Sequence, residues 1–145
     1  IFDNELDIYL TRYKDTLISL SDRSQLAKEL KADVFVSLHC NASYNNSKGM
    51  EVYVHNSENS NTKESIALGL SVLTESTQKL GFKKRGVKFA NFQVLRETKN
   101  CPAVLVELGF ITNNDEASYF KTQKNINALA LAILIGIINY LNIRL

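Results

Sequence analysis

Apolar positions recur along this chain in two rhythms, and the rhythms set the elements to expect. Asp7–Arg12 (DIYLTR) is a short β-prone run and predicts a strand. Ser19 then opens a helix. Its hydroxyl is placed to cap the first turn, Asp22 sits at the reciprocal position, and Leu20, Leu26, Ala27 and Leu30 share one face. Asp33–Leu38 (DVFVSL) is almost continuously apolar, which predicts a central parallel strand covered on both faces. Met50–Val54 (MEVYV) alternates and predicts a strand with one wetter face. Thr62 is placed to cap a long amphipathic helix bearing Ile66, Leu70, Leu73 and Leu80, which Gly81 stops. Lys83–Lys88 predicts a basic loop, Phe92–Arg96 a short strand and Ala103–Leu108 (AVLVEL) a second buried strand. Asn113 caps a short helix with Glu116 as its capping-box partner. Gln123–Leu141 closes the chain as a helix apolar nearly all round, a pattern that predicts burial. Strands alternating with helices predict an α/β fold. The expectation is a single domain over residues 1–145, with a mostly parallel twisted sheet flanked by helices on both faces.

Composition narrows the possibilities. With 145 residues, 45% hydrophobic and 22% charged, the chain can bury a real core, which excludes a disordered tail, a collagen-like repeat and a disulfide scaffold. Seventeen Lys and Arg against fifteen Asp and Glu leave a net charge of +2, so charge makes no case for a nucleic-acid partner. The longest apolar run, Ala128–Ile138, has eleven residues and is too short to span a bilayer, so no membrane span is expected. The opening Ile1–Asp7 has neither the basic start nor the apolar stretch of a signal peptide. It also lacks an initiator Met, so a fragment of a longer protein is expected.

In sheets of this class ligands bind beyond the carboxyl ends of parallel strands. DVFVSL runs directly into His39-Cys40-Asn41, and AVLVEL carries Glu107 close to its end. If the two strands are parallel, His39 and Glu107 emerge at one edge of the sheet. A carboxylate inside such an apolar run is costly unless satisfied. Partial burial would raise its pKa and suit it to general acid/base work. The alternative is a structural Glu107 paired with Arg85 or Arg96. His39 is a candidate zinc ligand or, more simply, a hydrogen-bonded histidine at a loop start. His55 reads as a solvated strand-end residue. Neighbouring residues at a strand end point to opposite sides, which argues against a His39–Cys40 dyad. Cys101 precedes its strand whereas Cys40 follows its own, so parallel strands keep them too far apart for a disulfide. Both are expected to be small packing residues. The Lys83-Lys84-Arg85 cluster fits a solvated loop or a contact to an anionic polymer.

Several stretches taken together resemble the zinc-dependent N-acetylmuramoyl-L-alanine amidases of the type 3 amidase family. They are YLTR (9–12), SLSDRSQLAKELKADVFVSLHCNAS (19–43), GMEVYV (49–54), RGVKFANFQVLRET (85–98) and CPAVLVELGFITN (101–113). The resemblance implies hydrolysis of the amide between muramic acid and L-alanine in peptidoglycan. It also implies one zinc held by two histidines and a glutamate, and a separate catalytic glutamate. On it, His39 in SLHCNAS matches the later zinc histidine and Glu107 in VELGF the catalytic acid/base. Asn41 would orient substrate or brace the loop. A periplasmic or secreted location follows from the family's substrate.

The sequence departs from the pattern at its start. The family's first zinc histidine lies in a Gly-His-Gly-Gly loop after the first strand, and the ligand glutamate in the helix that follows; neither is present. The expectation is that this strand and loop lie upstream of residue 1, which would leave an unpaired sheet edge. The competing reading is a non-catalytic peptidoglycan-binding or regulatory module on the same fold. A third is a metal-free hydrolase using Cys40.

Overall fold

The computed structural model describes residues 6–56 and 61–144. Its elements are α1 (Leu20–Glu29), β1 (Phe35–Asn41), β2 (Met50–Val54), α2 (Asn61–Leu80), β3 (Lys84–Phe89), α3 (Gln93–Glu97), β4 (Ala103–Phe110), α4 (Asn114–Tyr119) and α5 (Gln123–Arg144). The four strands form one sheet in the order β1-β4-β2-β3. It is a mixed sheet: β1 pairs with β4 and β2 with β3 in parallel, but β2 runs antiparallel to β4. The reason lies in connection length. A parallel return needs a crossover of a dozen or more residues, and residues 42–49 between β1 and β2 are too few.

β4 is buried on both faces; β1 lies at an edge of the described sheet, not at its centre. Leu38, in the second half of β1, is 52% exposed. Residues 6–12 form no strand, and Ile8, Tyr9 and Leu10 are exposed. A β-prone run without a ladder partner leaves its backbone groups to water and gains nothing by extending. Two further expectations fail. The basic stretch is strand β3, because charged side chains are compatible with a sheet edge where one side faces solvent. Phe92–Arg96 holds helix α3 instead of a strand, where Val94 and Leu95 pack together against Ala27 and Leu105. Ser19 does cap α1, accepting from the Asp22 amide at 3.1 Å, and Asn113 caps α4 through the Glu116 amide at 3.2 Å. The helix expected to begin after a Thr62 cap starts at Asn61, one residue earlier.

Two cores lie on opposite faces of the sheet. On one, Val52, Val104 and Val106 meet Leu68, Val72, Leu129 and Ile133 of α2 and α5. On the other, Phe35, Ala103 and Leu105 meet Ala27 of α1 and Val94 and Leu95 of α3. α5 is not the fully buried helix that its composition suggests. Leu129, Ile133 and Tyr140 are buried, but Ile126 and Leu131 are exposed. By length and composition its Gln123–Asn142 stretch, with mean hydropathy 1.5, would suffice to cross a membrane; here one face packs on α2. That packing depends on Gly136. A Cβ there would stand 2.6 Å from Val72 Cα, and Ser71 Oγ donates to the Gly136 carbonyl at 2.7 Å. Gly136→Ala therefore forces two helices apart. It should cost about 1–3 kcal/mol, read as a lower denaturant midpoint.

Candidate active site

Alternation along the strands sets which side chains share the α1/α3 face. Ala103, Leu105 and Glu107 follow one another along β4, and the helices cover only the first two. Register brings His39 of β1 beside Glu107, and Glu51 of β2 lies on the other side of Glu107. One row across three strands thus carries an imidazole and two carboxyl groups. The strand-end residues singled out by sequence do meet, at the carboxyl ends of two parallel strands. A cleft of about 480 Å³ runs elsewhere, between residues 6–12, α1 and the outer edge of β1, and neither His39 nor Glu107 lines it. The row lies instead on an open rim.

The two carboxyl groups have opposite environments. Glu51 is 2% exposed and fully engaged. Its Oε1 accepts from Asn41 Nδ2 at 3.0 Å and Tyr53 OH at 2.8 Å; its Oε2 accepts from Arg85 Nε at 2.7 Å and Lys88 Nζ at 2.5 Å. Burial by itself would raise its pKa, but the hydrogen bonds from Lys88, Arg85 and Tyr53, with the Lys88 charge, outweigh it and hold it below the usual carboxylate range. Among the described residues Glu107 has no such donors. Its Oε2 is buried without a hydrogen-bond partner. Burial and then the Glu51 charge push its pKa upward. Neighbouring carboxyls pushed apart in this way divide into one that stays ionised and one able to carry a proton. Tyr53, half-buried and bonded to the ionised Glu51, is pushed up to about 12 and keeps its hydroxyl proton. The arginines proposed from sequence as partners of Glu107 are both engaged elsewhere: Arg85 on Glu51, Arg96 on the carbonyl and side chain of Asn91.

His39 Nε2 hydrogen-bonds with Ser37 Oγ at 3.0 Å, which orients the ring. Burial and then the Arg23 charge lower its pKa, favouring the neutral form that ligates metals. Among the described residues, no group of three His, Cys, Asp or Glu side chains could hold a metal ion. The row therefore offers one imidazole and one orphaned carboxyl oxygen, short of the three ligands of a catalytic zinc site. Asn41 braces the rim twice, through Glu51 and by accepting from the Ala42 amide at 2.8 Å. His55 is not in the row; it lines a small cleft with Asn61 and Cys101. Both cysteines are free; Cys101 is buried, but Cys40, expected to be a packing residue, is exposed at the end of β1.

Two features that the sequence reading missed hold the rim together. The alternation of MEVYV predicts one wetter face, yet Glu51 is buried, which the charges of β3 allow. The signal was available in the basic KKRGVK stretch, whose charges need an anion if it is a strand. The second is Glu116, read from sequence only as a capping residue. Its carboxylate accepts from the Gly49 and Phe110 amides, each at 2.7 Å, tying the start of β2 to the end of β4. Gly109, at φ +151°, leaves room for this clamp; a Cβ there would meet Glu116 Oε2 at 2.9 Å.

An imidazole beside a carboxyl whose pKa is raised, at the carboxyl ends of two parallel strands, is an arrangement suited to acid/base chemistry. Comparison with known proteins makes the class specific. A family model described as N-acetylmuramoyl-L-alanine amidase matches residues 2–139, and the chain belongs to that family. It is 39% identical over 142 residues to an endolysin of Bacillus phage SPP1, covering 97% of this chain and 52% of that protein. It is 37% identical over 133 residues to the N-acetylmuramoyl-L-alanine amidase LytC of Bacillus subtilis (strain 168), covering 90% of this chain and 26% of that protein. The crystal structure of an N-acetylmuramoyl-L-alanine amidase from Clostridium difficile 630 superposes with a TM-score of 0.88 at 34% identity, covering 97% of this chain and 75% of that one. The chain thus spans about half of the endolysin and about a quarter of LytC.

Proposed function

We propose that this chain belongs to the catalytic domain of a zinc-dependent peptidoglycan amidase that cleaves the bond between N-acetylmuramic acid and L-alanine. The observation that carries the reading is the register pair His39–Glu107, with a Glu107 oxygen that is buried and has no hydrogen-bond partner among the described residues. Membership of the amidase family supplies the reaction. A substrate in the cell wall implies that the protein works outside the cytoplasm.

In this reading Glu107 is the acid/base. Its raised pKa lets it take a proton from the attacking water and deliver one to the departing amine of L-alanine. Glu51, ionised and held by four donors, keeps the neighbouring carboxyl disposed to carry that proton. His39 contributes one ligand to the zinc. A catalytic zinc needs two further protein donors beside it. A zinc so bound would act as a Lewis acid on the scissile carbonyl.

The test uses the full-length protein and purified peptidoglycan. Digestion should release peptides with a new amino-terminal L-alanine and create no new reducing sugar ends. His39→Ala should lower the zinc content measured on purified protein at least tenfold, in keeping with the loss of one ligand. Unchanged zinc content would remove His39 from the metal site, whatever happens to activity.

A further inference from the structure

The polar strip on the α1/α3 face does not stop at Glu107. Beyond Glu51 it reaches β3, where Arg85 and Lys88 bind a single Glu51 oxygen. Two cations on one carboxylate leave a surplus positive charge at this end of the rim. The two are not equivalent. Arg85 is held on three sides, by Glu51, by the Lys48 carbonyl at 3.4 Å and by the Phe110 ring at 5.0 Å. The Lys88 side chain is 40% exposed. Among the described residues its hydrogen-bond partner is Glu51, and its Nζ lies 5.9 Å from the centre of the Tyr53 ring. An ammonium carries three donors, so one carboxylate oxygen does not saturate it.

We propose that Lys88, steadied by Glu51 at the β3 end of the strip, binds a carboxylate of the peptide attached through L-alanine, so that the site selects acidic over amidated peptides. The inference rests on the amidase reading. Neighbouring strands lie about 4.8 Å apart, so a group reaching from β3 toward β2 stands between about 5 and 10 Å from Glu107. Two or three extended residues cover that span. A peptide crossing β2 from the scissile bond therefore brings its first residues past L-alanine to Lys88. An ammonium distinguishes a carboxylate from a carboxamide by charge, whereas the N-acetylated sugar beyond the muramic acid offers it no anion.

The probes are N-acetylmuramoyl-L-alanyl-D-glutamate and the same compound with its α-carboxyl amidated. The full-length wild-type protein should show about tenfold higher kcat/KM on the free acid, carried by KM and shrinking as salt is raised. Lys88→Met should reduce that preference to about twofold or less, chiefly by slowing cleavage of the acid, and Lys88→Arg should restore it. A preference that survives Lys88→Met overturns the proposal. So does an equal loss on both compounds, since that would mark Lys88 as mere support for Glu51. If wild-type protein cleaves neither compound, the amidase reading fails separately. Calorimetric binding of the two compounds then decides the subsite: tighter binding of the acid to wild type than to Lys88→Met supports it, and equal binding sinks it.

Discussion

Glu107→Gln should reduce peptidoglycan hydrolysis by about 10²–10⁴-fold while leaving the fold at least as stable as wild type at neutral pH. The loss follows from removing the group that moves the proton. The stability effect follows from the same environment. Glu107 has a buried oxygen without a partner and an ionised carboxylate, Glu51, as its neighbour in register. Its pKa in the folded state is raised by burial and by the Glu51 charge. A carboxyl with a raised folded pKa favours the fold while protonated. That contribution is fully present below the ordinary carboxyl pKa and is lost as pH rises through the folded value. At neutral pH the wild type bears the cost of ionising Glu107, and glutamine does not. The advantage of Glu107→Gln should therefore shrink as the pH is lowered below the ordinary carboxyl range. Denaturant melts at neutral and acidic pH, with peptide release in parallel, check both halves. Near-normal peptide release would exclude Glu107 as the acid/base, and a variant clearly less stable at neutral pH would contradict the electrostatic account.

Glu51→Ala is expected to be the most damaging single change to the rim. Removing one member of a buried charge pair typically costs 3–5 kcal/mol, because the partner remains charged and unpaired. Here Arg85 and Lys88 are partly exposed and can regain water, so the expected loss is smaller, about 2–3 kcal/mol. Asn41 and Tyr53 lose an acceptor as well. The pH dependence runs opposite to that of Glu107. The Glu51 pKa is held down in the fold despite its burial, so its contribution is present above the ordinary carboxyl pKa and lost as pH falls through the folded value. Wild type and Glu51→Ala should converge in stability as the pH falls below the ordinary carboxyl range and separate as it rises. Hydrolysis should also fall, since the charge that helps raise the Glu107 pKa is gone. A variant with wild-type melts at neutral pH would show that the four donors find equal partners in water.

The parts of the molecule that were legible beforehand share a local cause. AVLVEL is apolar in almost every position, and β4 is covered on both faces as such a run demands. Ser19 and Asn113 announce helix starts because their side chains satisfy amides three residues on. His39 and Glu107 could be placed at one rim from spacing alone, once their two strands were taken as parallel. What misled has a local cause too. KKRGVKF has the charge and glycine of a loop, but an edge strand tolerates both. DIYLTR has strand propensity, but propensity without a partner forms no ladder.

Residue order therefore suffices for the caps of α1 and α4 and for the existence of the apolar strands β1 and β4, since each depends on neighbours a few positions away. Glu51 depends on groups far along the chain. Its burial is decided only when β3 brings Arg85 and Lys88, more than thirty residues away, across an edge of the sheet. The direction of β2, the central position of β4 and the separation of the two carboxyl pKa values all arise the same way. Each is a property of strands laid side by side, where long-range pairing and a lowered dielectric set the energy of every charge.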